Sequence, residues 1–153
     1  MRRTKNRVRA RLITAAIVVP LTIAGASGQA LADEKAVTWK NAKTRLCLQV
    51  TRAAKVVTGD CSNRLWRDWI ETPVGINYYL SPVEFPSQCL DSSDAGNVYL
   101  KTCHLGDYQK WEEVKTSTGW KLTNHQTGRV LDSNADGNVY TNPSYNNLYQ
   151  RWE

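Results

Sequence analysis

Two aspartates each lie eight residues before a tyrosine, with a Gly-Asn turn between the two residues. The pairs are Asp91 with Tyr99 and Asp132 with Tyr140. A fixed carboxylate can accept hydrogen bonds from two neighbouring hydroxyls, and an aromatic face can cover an apolar C–H patch. Because the Gly-Asn turn folds the chain back, both groups of a pair can face one ligand. The pattern therefore predicts two sites for a polyhydroxylated ligand.

Further polar and aromatic residues follow each pair at matching distances. They are His104, Tyr108 and Gln109 after the first pair, and Tyr145, Tyr149 and Gln150 after the second. We expect them to add neighbouring contacts to each site. Two alternatives remain open at this point. The aspartates could bond only to backbone amides of the turns that follow them, and His104 could be an ordinary surface residue.

These candidate residues belong to an internal repeat. The segment Leu90–Tyr99 recurs 41 residues later as Leu131–Tyr140, and each copy runs on to Tyr-Gln-x-Trp, ending at Trp111 and Trp152. An eroded copy lies upstream and ends at Trp69. A large apolar residue that occurs once per repeat predicts a core shared by three repeats.

The upstream copy provides an internal control. It keeps Leu48 and the tryptophan, but it has Gln49 in place of the aspartate, Val57 in place of the tyrosine and Arg67 in place of the glutamine. Scaffold positions persist while three proposed site positions change together. We therefore predict an inactive first site beside two active ones.

Four cysteines form two pairs with the same spacing of 14 residues, Cys47 with Cys61 and Cys89 with Cys103. The third repeat has Val130 and Ser144 at these positions, so both members of a pair are replaced together. That pattern predicts one disulfide within each of the first two repeats. Each should stabilise the fold by roughly 3 kcal/mol. A zinc site is the rival interpretation, but the chain has no Cys-x-x-Cys and only two histidines.

Short strand-like runs separated by turns fill the repeats. The runs are Ala36–Trp39, Ile76–Leu80, Val98–Leu100, Gly119–Leu122 and Val139–Thr141. No stretch after residue 32 keeps a helical period over a dozen residues. The sequence predicts one all-β domain over 33–153, in which repeats at about 36–73, 74–115 and 116–153 surround a pseudo-threefold axis.

The first 32 residues have the pattern of a secretory signal peptide. Six basic residues fall within positions 1–11, an apolar stretch follows from Leu12 to Ala26, and Ala30-Leu31-Ala32 closes the segment. We expect cleavage before Asp33 and a secreted, extracellular protein. A membrane anchor is the alternative, but the apolar stretch is shorter than the roughly 20 residues that a span requires.

Removal of this leader changes the charge of the chain. Residues 1–32 hold six of the 20 Lys and Arg and none of the 14 Asp and Glu, so 14 of each sign remain. A net charge near zero argues against nucleic-acid binding and against attraction to anionic membranes. We expect no nucleic-acid partner and no membrane insertion after cleavage.

The repeated Cys-Leu-Asp followed by Gln-x-Trp resembles the ricin-type lectin family. The similarity runs from about residue 37 to the end and is strongest in the third repeat. It implies a β-trefoil that binds sugars in shallow pockets, one per repeat. It also implies that Gln109 and Gln150 orient Asp91 and Asp132 from behind. The sequence of the third repeat is most similar to that of small secreted mannose-binding members of the family.

Departures from the mannose-binding pattern leave the sugar open. Ser62, His104 and Tyr145 stand where those members have an asparagine, and Lys101-Thr102 and Asn142-Pro143 stand where they have Leu-Pro. A histidine after the cysteine is similar to the xylan- and galactose-binding members. The resemblance therefore implies glycan or polysaccharide partners, as mannosides, galactosides or xylan. We expect no cofactor or metal, and a monomer.

Two other classes of function are alternatives. A protein-binding or inhibitory trefoil could use the irregular insertion 82–87, which holds the only phenylalanine and two prolines. An enzyme could pair Glu112 with Glu113 or Asp91 with His104. Adjacent carboxylates on a strand point to opposite faces, however, and hydrolases of the family carry catalysis on a separate domain. We therefore predict no catalysis.

Overall fold

A computed structural model describes residues 36–153. The predicted signal peptide at 1–32 lies outside the described residues. The strands are β1 Val37–Thr38, β2 Cys47–Val50, β3 Val56–Gly59, β4 Asp68–Val74, β5 Asn77–Pro82, β6 Gln88–Ser92, β7 Val98–Thr102, β8 Lys110–Thr116, β9 Gly119–Asn124, β10 Val130–Ser133 and β11 Val139–Asn142. The helical segments are α1 Arg64–Arg67 and 3-10 turns at Asp107–Gln109 and Leu148–Gln150. The predicted all-β class is confirmed.

The strands form antiparallel hairpins that repeat three times. A seven-stranded sheet has the order β1-β4-β5-β8-β9-β10-β11, while β2-β3 and β6-β7 form separate two-stranded sheets. The hairpins β2-β3, β6-β7 and β10-β11 occupy equivalent places in the three repeats. Within the described part of the chain, no helix is long and apolar enough to cross a membrane.

The core contains one tryptophan and one leucine from each repeat. All six side chains are fully buried: Trp69, Trp111, Trp152, Leu48, Leu90 and Leu131. Each indole N–H donates to the carbonyl of the leucine 21 residues earlier, over 3.0, 2.9 and 3.2 Å. A buried donor without a partner would destabilise the fold, so this bond fixes the ring while burial supplies the main stabilisation. The tryptophans are core residues, as predicted.

Glycine turns join the three hairpins to one another. Gly96 has a φ of 89°, and its carbonyl accepts from Thr141 N over 2.8 Å. Gly137 has a φ of 85°, and its carbonyl accepts from Thr58 N over 2.8 Å. A Cβ at Gly96 would lie 2.6 Å from Thr141 O, so no other residue fits this contact between repeats.

The structure contains both predicted disulfides. Cys47 bonds to Cys61 and Cys89 bonds to Cys103, with Cα–Cα distances of 5.1 and 5.0 Å. These distances fit unstrained disulfide geometry. The third repeat has the buried Val130 in place of a cysteine, so this repeat is held by packing and hydrogen bonds alone.

Candidate functional site

Each predicted aspartate–tyrosine pair is a direct cross-strand pair. Asp91 on β6 lies opposite Tyr99 on β7, and Asp132 on β10 lies opposite Tyr140 on β11. Opposite residues of an antiparallel pair place their side chains on one face, a few ångströms apart. The aspartates are 1% and 4% exposed, whereas Tyr99 is 38% exposed. The hairpin therefore places a buried carboxylate beside a ring that a ligand can reach.

The third repeat forms a cavity of about 370 Å³ around Asp132. Its walls are Asp132, Asn134, Ala135, Tyr140, Asn142, Tyr145, Asn147 and Tyr149. Oδ2 of Asp132 accepts from Gln150 Nε2 over 3.1 Å and from Asn142 Nδ2 over 3.2 Å. Because both bonds from the described residues end on Oδ2, Oδ1 is available to ligand hydroxyls. Two amide donors hold the carboxylate in a fixed orientation.

Gln150 lies under this cavity and is fully buried. Its Oε1 accepts from Tyr145 N over 2.8 Å, and its Nε2 also donates to Pro143 O over 2.8 Å. An amide nitrogen has two hydrogens, so one reaches the loop carbonyl and the other reaches Asp132. This is the orienting role that the family resemblance implies for Gln150.

The second repeat forms a smaller cavity of about 170 Å³. Its walls are Asp91, Ser93, Asp94, Tyr99, Lys101 and Tyr108. The Tyr108 hydroxyl donates to Asp94 Oδ2 over 2.9 Å, which ties the rim of the cavity together. The third repeat has Ala135 at the position of Asp94, so the equivalent bond cannot form there.

Gln109 does not hold Asp91, in contrast to the expectation from the resemblance. Its Nε2 donates to Thr102 O over 3.1 Å, and its Oε1 accepts from His104 N over 3.0 Å. Among the described residues, Oδ2 of Asp91 has no hydrogen-bond partner. Gln109 makes the same two loop bonds as Gln150, but its second amide hydrogen does not reach the carboxylate. The orienting contact therefore exists in the third repeat alone.

His104 and Tyr145 occupy equivalent positions in their repeats, but His104 does not line the second-repeat cavity, whereas Tyr145 lines that of the third repeat. Nδ1 of His104 accepts from Gly106 N over 3.2 Å, and its Nε2 lies 3.8 Å from Asp91 Oδ2. The ring is close to the carboxylate but beyond hydrogen-bond distance. Tyr145 is 59% exposed and lines the third-repeat cavity directly.

The pKa values of three tyrosines in the cavities are raised. Burial raises the pKa of Tyr99 and of Tyr140, and the carboxylates of Asp91 and Asp132 add to the effect. The hydrogen bond to Asp94 is the main cause that raises the pKa of Tyr108. These hydroxyls are therefore neutral at physiological pH and can donate hydrogen bonds.

The first repeat lacks this arrangement. Gln49 lies opposite Val57, so neither a carboxylate nor an aromatic ring stands at the site positions. The Gln49 amide donates to Asp60 O and packs over Gly59. Arg67, at the position of the orienting glutamine, lies 3.5 Å from Asp68 Oδ1 instead.

The sequence interpretation did not assign Asn142, Lys101 or Asp94 to the cavities. Asn142 and Lys101 lie two residues after the site tyrosines, so the two-residue period of a strand could have placed them on the same face. Asn147 lines the third-repeat cavity, whereas Asn146 accepts from Arg151 Nη2 over 3.1 Å. No spacing rule predicts Asp94 as a cavity residue, because its role depends on the hydroxyl of Tyr108.

Comparisons with known proteins agree with the fold. A designed threefold-symmetric protein, ThreeFoil, is similar with a TM-score of 0.69 and 24% identity, over 75% of this chain and 94% of that one. An exo-β-1,3-galactanase from Clostridium thermocellum has a TM-score of 0.71 and 19% identity, over 80% and 30% of the two chains. A GlcNAcα1-4Gal-releasing endo-β-galactosidase from Clostridium perfringens has a TM-score of 0.70 and 15% identity, over 78% and 32%. The chain spans about a third of each of these enzymes.

Sequence similarity identifies the family of the chain. No curated protein matches it. The model of the ricin-type β-trefoil lectin domain matches residues 35–152, which is most of the chain. The chain therefore belongs to the ricin-type β-trefoil lectin family, a family of carbohydrate-binding domains.

Proposed function

We propose that the protein is a secreted lectin whose main sugar site is the third-repeat cavity. The observation that carries this proposal is the Asp132 carboxylate, which is buried, oriented by Gln150 and Asn142, and opposite the ring of Tyr140. Such a carboxylate can accept two hydroxyls of one sugar through charge-assisted bonds. The neighbouring ring can cover the C–H face of the same sugar.

The second-repeat cavity is the weaker of two sites in this proposal. Asp91 and Tyr99 supply the same pair of groups, but the cavity is smaller. The hydrogen bond between Tyr108 and Asp94 must also break, or these two groups must bind the ligand themselves. Single open sites of this kind bind weakly. Two of them on one rigid body would reach useful strength on multivalent glycans through avidity.

The sugar class stays within mannosides, galactosides and xylan. The two enzymes with similar regions act on galactose-containing chains according to their names, which makes galactosides the first ligands to test. Tyr145 and Asn147 stand beside Asp132 and are placed to contact a second hydroxyl group or a neighbouring sugar.

Extracellular location is part of the proposal. The pattern of residues 1–32 supports export, and two disulfides are consistent with an oxidising compartment. We propose a monomer that binds glycans without catalysis, since the family is non-catalytic in general.

The protein-binding alternative rests on the insertion 82–87. Pro82 is buried at the end of β5, and Phe85 packs on Trp66 with 6.2 Å between ring centroids. Phe85 is therefore less exposed than the sequence suggests. Val83 remains 44% exposed, but the stiff aromatic edge expected of a binding loop is turned toward the core.

A glycan array tests the proposal. The oxidised protein and its Asp91→Ala/Asp132→Ala variant would be screened together, with folding matched by circular dichroism and Gln49→Ala as the control. We expect selective retention by the parent and by Gln49→Ala, and loss of it in the double variant. Equal retention by the double variant would reject the proposed pockets, and no retention by any chain would favour the protein-binding alternative.

A further inference from the structure

A third cavity, of about 350 Å³, lies among the strands β1, β4, β5, β8 and β9. Its walls include Trp39, Glu71, Tyr78, Glu113, Trp120 and Glu153, and it shares no residue with the two sugar pockets. We call it the dicarboxyl cavity after Glu71 and Glu113. Neither scaffold packing nor the proposed lectin function explains why two acidic residues should face it.

The two glutamates occupy equivalent positions, two residues after Trp69 and Trp111. Glu71 lies opposite Leu80 and Glu113 lies opposite Leu122. Side chains two residues apart on a strand share a face, so both carboxyls point to the side on which the core tryptophans lie. The sheet thus brings together two acidic groups that are far apart in sequence.

The electrostatics of the two carboxyls favour one proton held between them at neutral pH. Burial raises the pKa of Glu113 to about 8, with further contributions from the charge of Glu71 and from their mutual hydrogen bond. Burial also raises the pKa of Glu71. At neutral pH the pair carries about one negative charge, because two adjacent carboxylates cannot both ionise at low cost.

Polar atoms of the cavity are left without partners. Oε1 of Glu71 and Oε1 of Glu113 are buried, and they accept no hydrogen bond from residues 36–153. Trp39 is 5% exposed, and its Nε1–H donates to no acceptor in the same part of the chain. Trp69, Trp111 and Trp152 all satisfy theirs, so Trp39 is the exception among the buried tryptophans. Buried polar groups of folded proteins are normally paired, so this cluster is a place where a ligand or water can supply the missing partners.

Aromatic walls complete the cavity. Trp39 and Trp120 meet edge to face, with 6.4 Å between ring centroids. Nζ of Lys115 stands 4.9 Å from the centroid of Trp120, so one face of this ring already carries a cation. Glu153 is neutralised by Arg45 over 2.7 Å, which leaves the shared charge of Glu71 and Glu113 as the unpaired one.

We propose that the dicarboxyl cavity binds a protonated primary amine that also carries hydroxyl groups, a chemical class that includes hexosamines. The ammonium donates to the free oxygens of Glu71 and Glu113, and a hydroxyl oxygen accepts from Trp39 Nε1–H. The C–H face of the ligand packs against the aromatic walls. Binding of the cation releases the shared proton to solvent, since both carboxylates are then paired with positive charge.

Calorimetric titration of the folded, oxidised Asp91→Ala/Asp132→Ala variant tests this proposal, because that chain lacks the proposed sugar pockets. Glucosamine is the probe and glucose is the matched ligand without an amine. We expect glucosamine to bind at least tenfold more tightly than glucose. Its apparent heat at pH 7 should also differ between phosphate and MOPS buffers by the ionisation heat of the released proton, since neither buffer is a primary amine.

Two substitutions keep the test independent of folding. Glu71→Gln/Glu113→Gln retains the shape of both side chains and should weaken glucosamine at least tenfold. Trp39→Phe retains an aromatic wall and should weaken it severalfold. Equal binding of glucose and glucosamine, or unchanged affinity in the Gln/Gln variant, would overturn the proposal. Either failure leaves the array result untouched, because the array reports on Asp91 and Asp132.

Discussion

The second and third repeats carry the same aspartate–tyrosine pair in the same register, yet they hold the aspartate differently. Asp132 accepts two amide donors on Oδ2, while Oδ2 of Asp91 has no partner among the described residues. The cavities differ as well, at about 370 and 170 Å³. The comparison teaches that the hairpin positions the pair, while neighbouring residues determine how firmly the carboxylate is held.

Two positions distinguish the cavities. Asn142 donates to Asp132, but the equivalent residue of the second repeat is Lys101. Asp94 ties Tyr108 across the rim, but its equivalent is an alanine. The disulfide does not explain the difference, because Gln109 and Gln150 make the same two bonds to their loops with and without it.

Removal of either aspartate should have the largest effect on glycan binding, and the effect should differ between the two repeats. We expect Asp132→Ala to weaken glycan binding by about 10- to 100-fold, since hydrogen bonds to charged groups contribute about 1.5–3 kcal/mol. Asp91→Ala should weaken it by less, roughly threefold, through lost avidity. Affinity for an immobilised glycan measures both. A larger loss with Asp91→Ala would reverse the ranking of the two sites.

Removal of one supporting donor is expected to have a smaller effect. Asn142→Ala leaves Asp132 with Gln150 alone, so affinity should fall about fivefold, as expected for a bond worth about 1 kcal/mol. Lys101→Ala is the matched control in the second repeat and should change affinity little. If the two variants behave alike in calorimetric titration, Asn142 does not distinguish the cavities.

Transfer of third-repeat residues into the second repeat should increase the affinity of the second cavity. Asp94→Ala/Lys101→Asn gives the second cavity the residues of the third at both positions. We expect its affinity to rise about threefold when measured in an Asp132→Ala background, because the rim is released and Asp91 gains a donor. No gain, with the fold intact, would mean that the backbone and not these side chains sets the second site.

A substitution away from both pockets should leave sugar binding unchanged and alter stability. The pKa of Glu113 is raised from its ordinary 4.5 to about 8 in the fold, so the folded chain holds a proton that the unfolded chain releases between these values. Stability should therefore fall as pH rises from about 4.5 to 8. Glu113→Gln should flatten this slope and raise the melting temperature at pH 8 by a few degrees, with solvent screening limiting the effect. A parent chain whose melting temperature rises over this range would contradict the shared proton.

The internal repeat is sufficient to predict most of the fold and half of the site. Spacing of the tryptophans and cysteines predicts the core and both disulfides, because each repeats once per structural unit. The eight-residue spacing predicts that Asp132 meets Tyr140, since a hairpin makes such residues opposite. Gln109 shows the limit, because its sequence position matches that of Gln150 while its second amide hydrogen points elsewhere. Glu71 and Glu113 were missed as a pair, because only the assembled sheet brings them together.

The ranking of the two proposed sugar sites is tested most directly by following each one during a single titration. Nitrogen-15-labelled protein would be titrated with the glycan selected on the array, and the amide signals of Tyr140 and Asn142 compared with those of Tyr99 and Lys101. The third-repeat signals should shift at about tenfold lower ligand concentration. The assignment of Asp132 as the main sugar acceptor would be contradicted if the second-repeat signals shift first. It would also be contradicted if the shifts lie outside both hairpins.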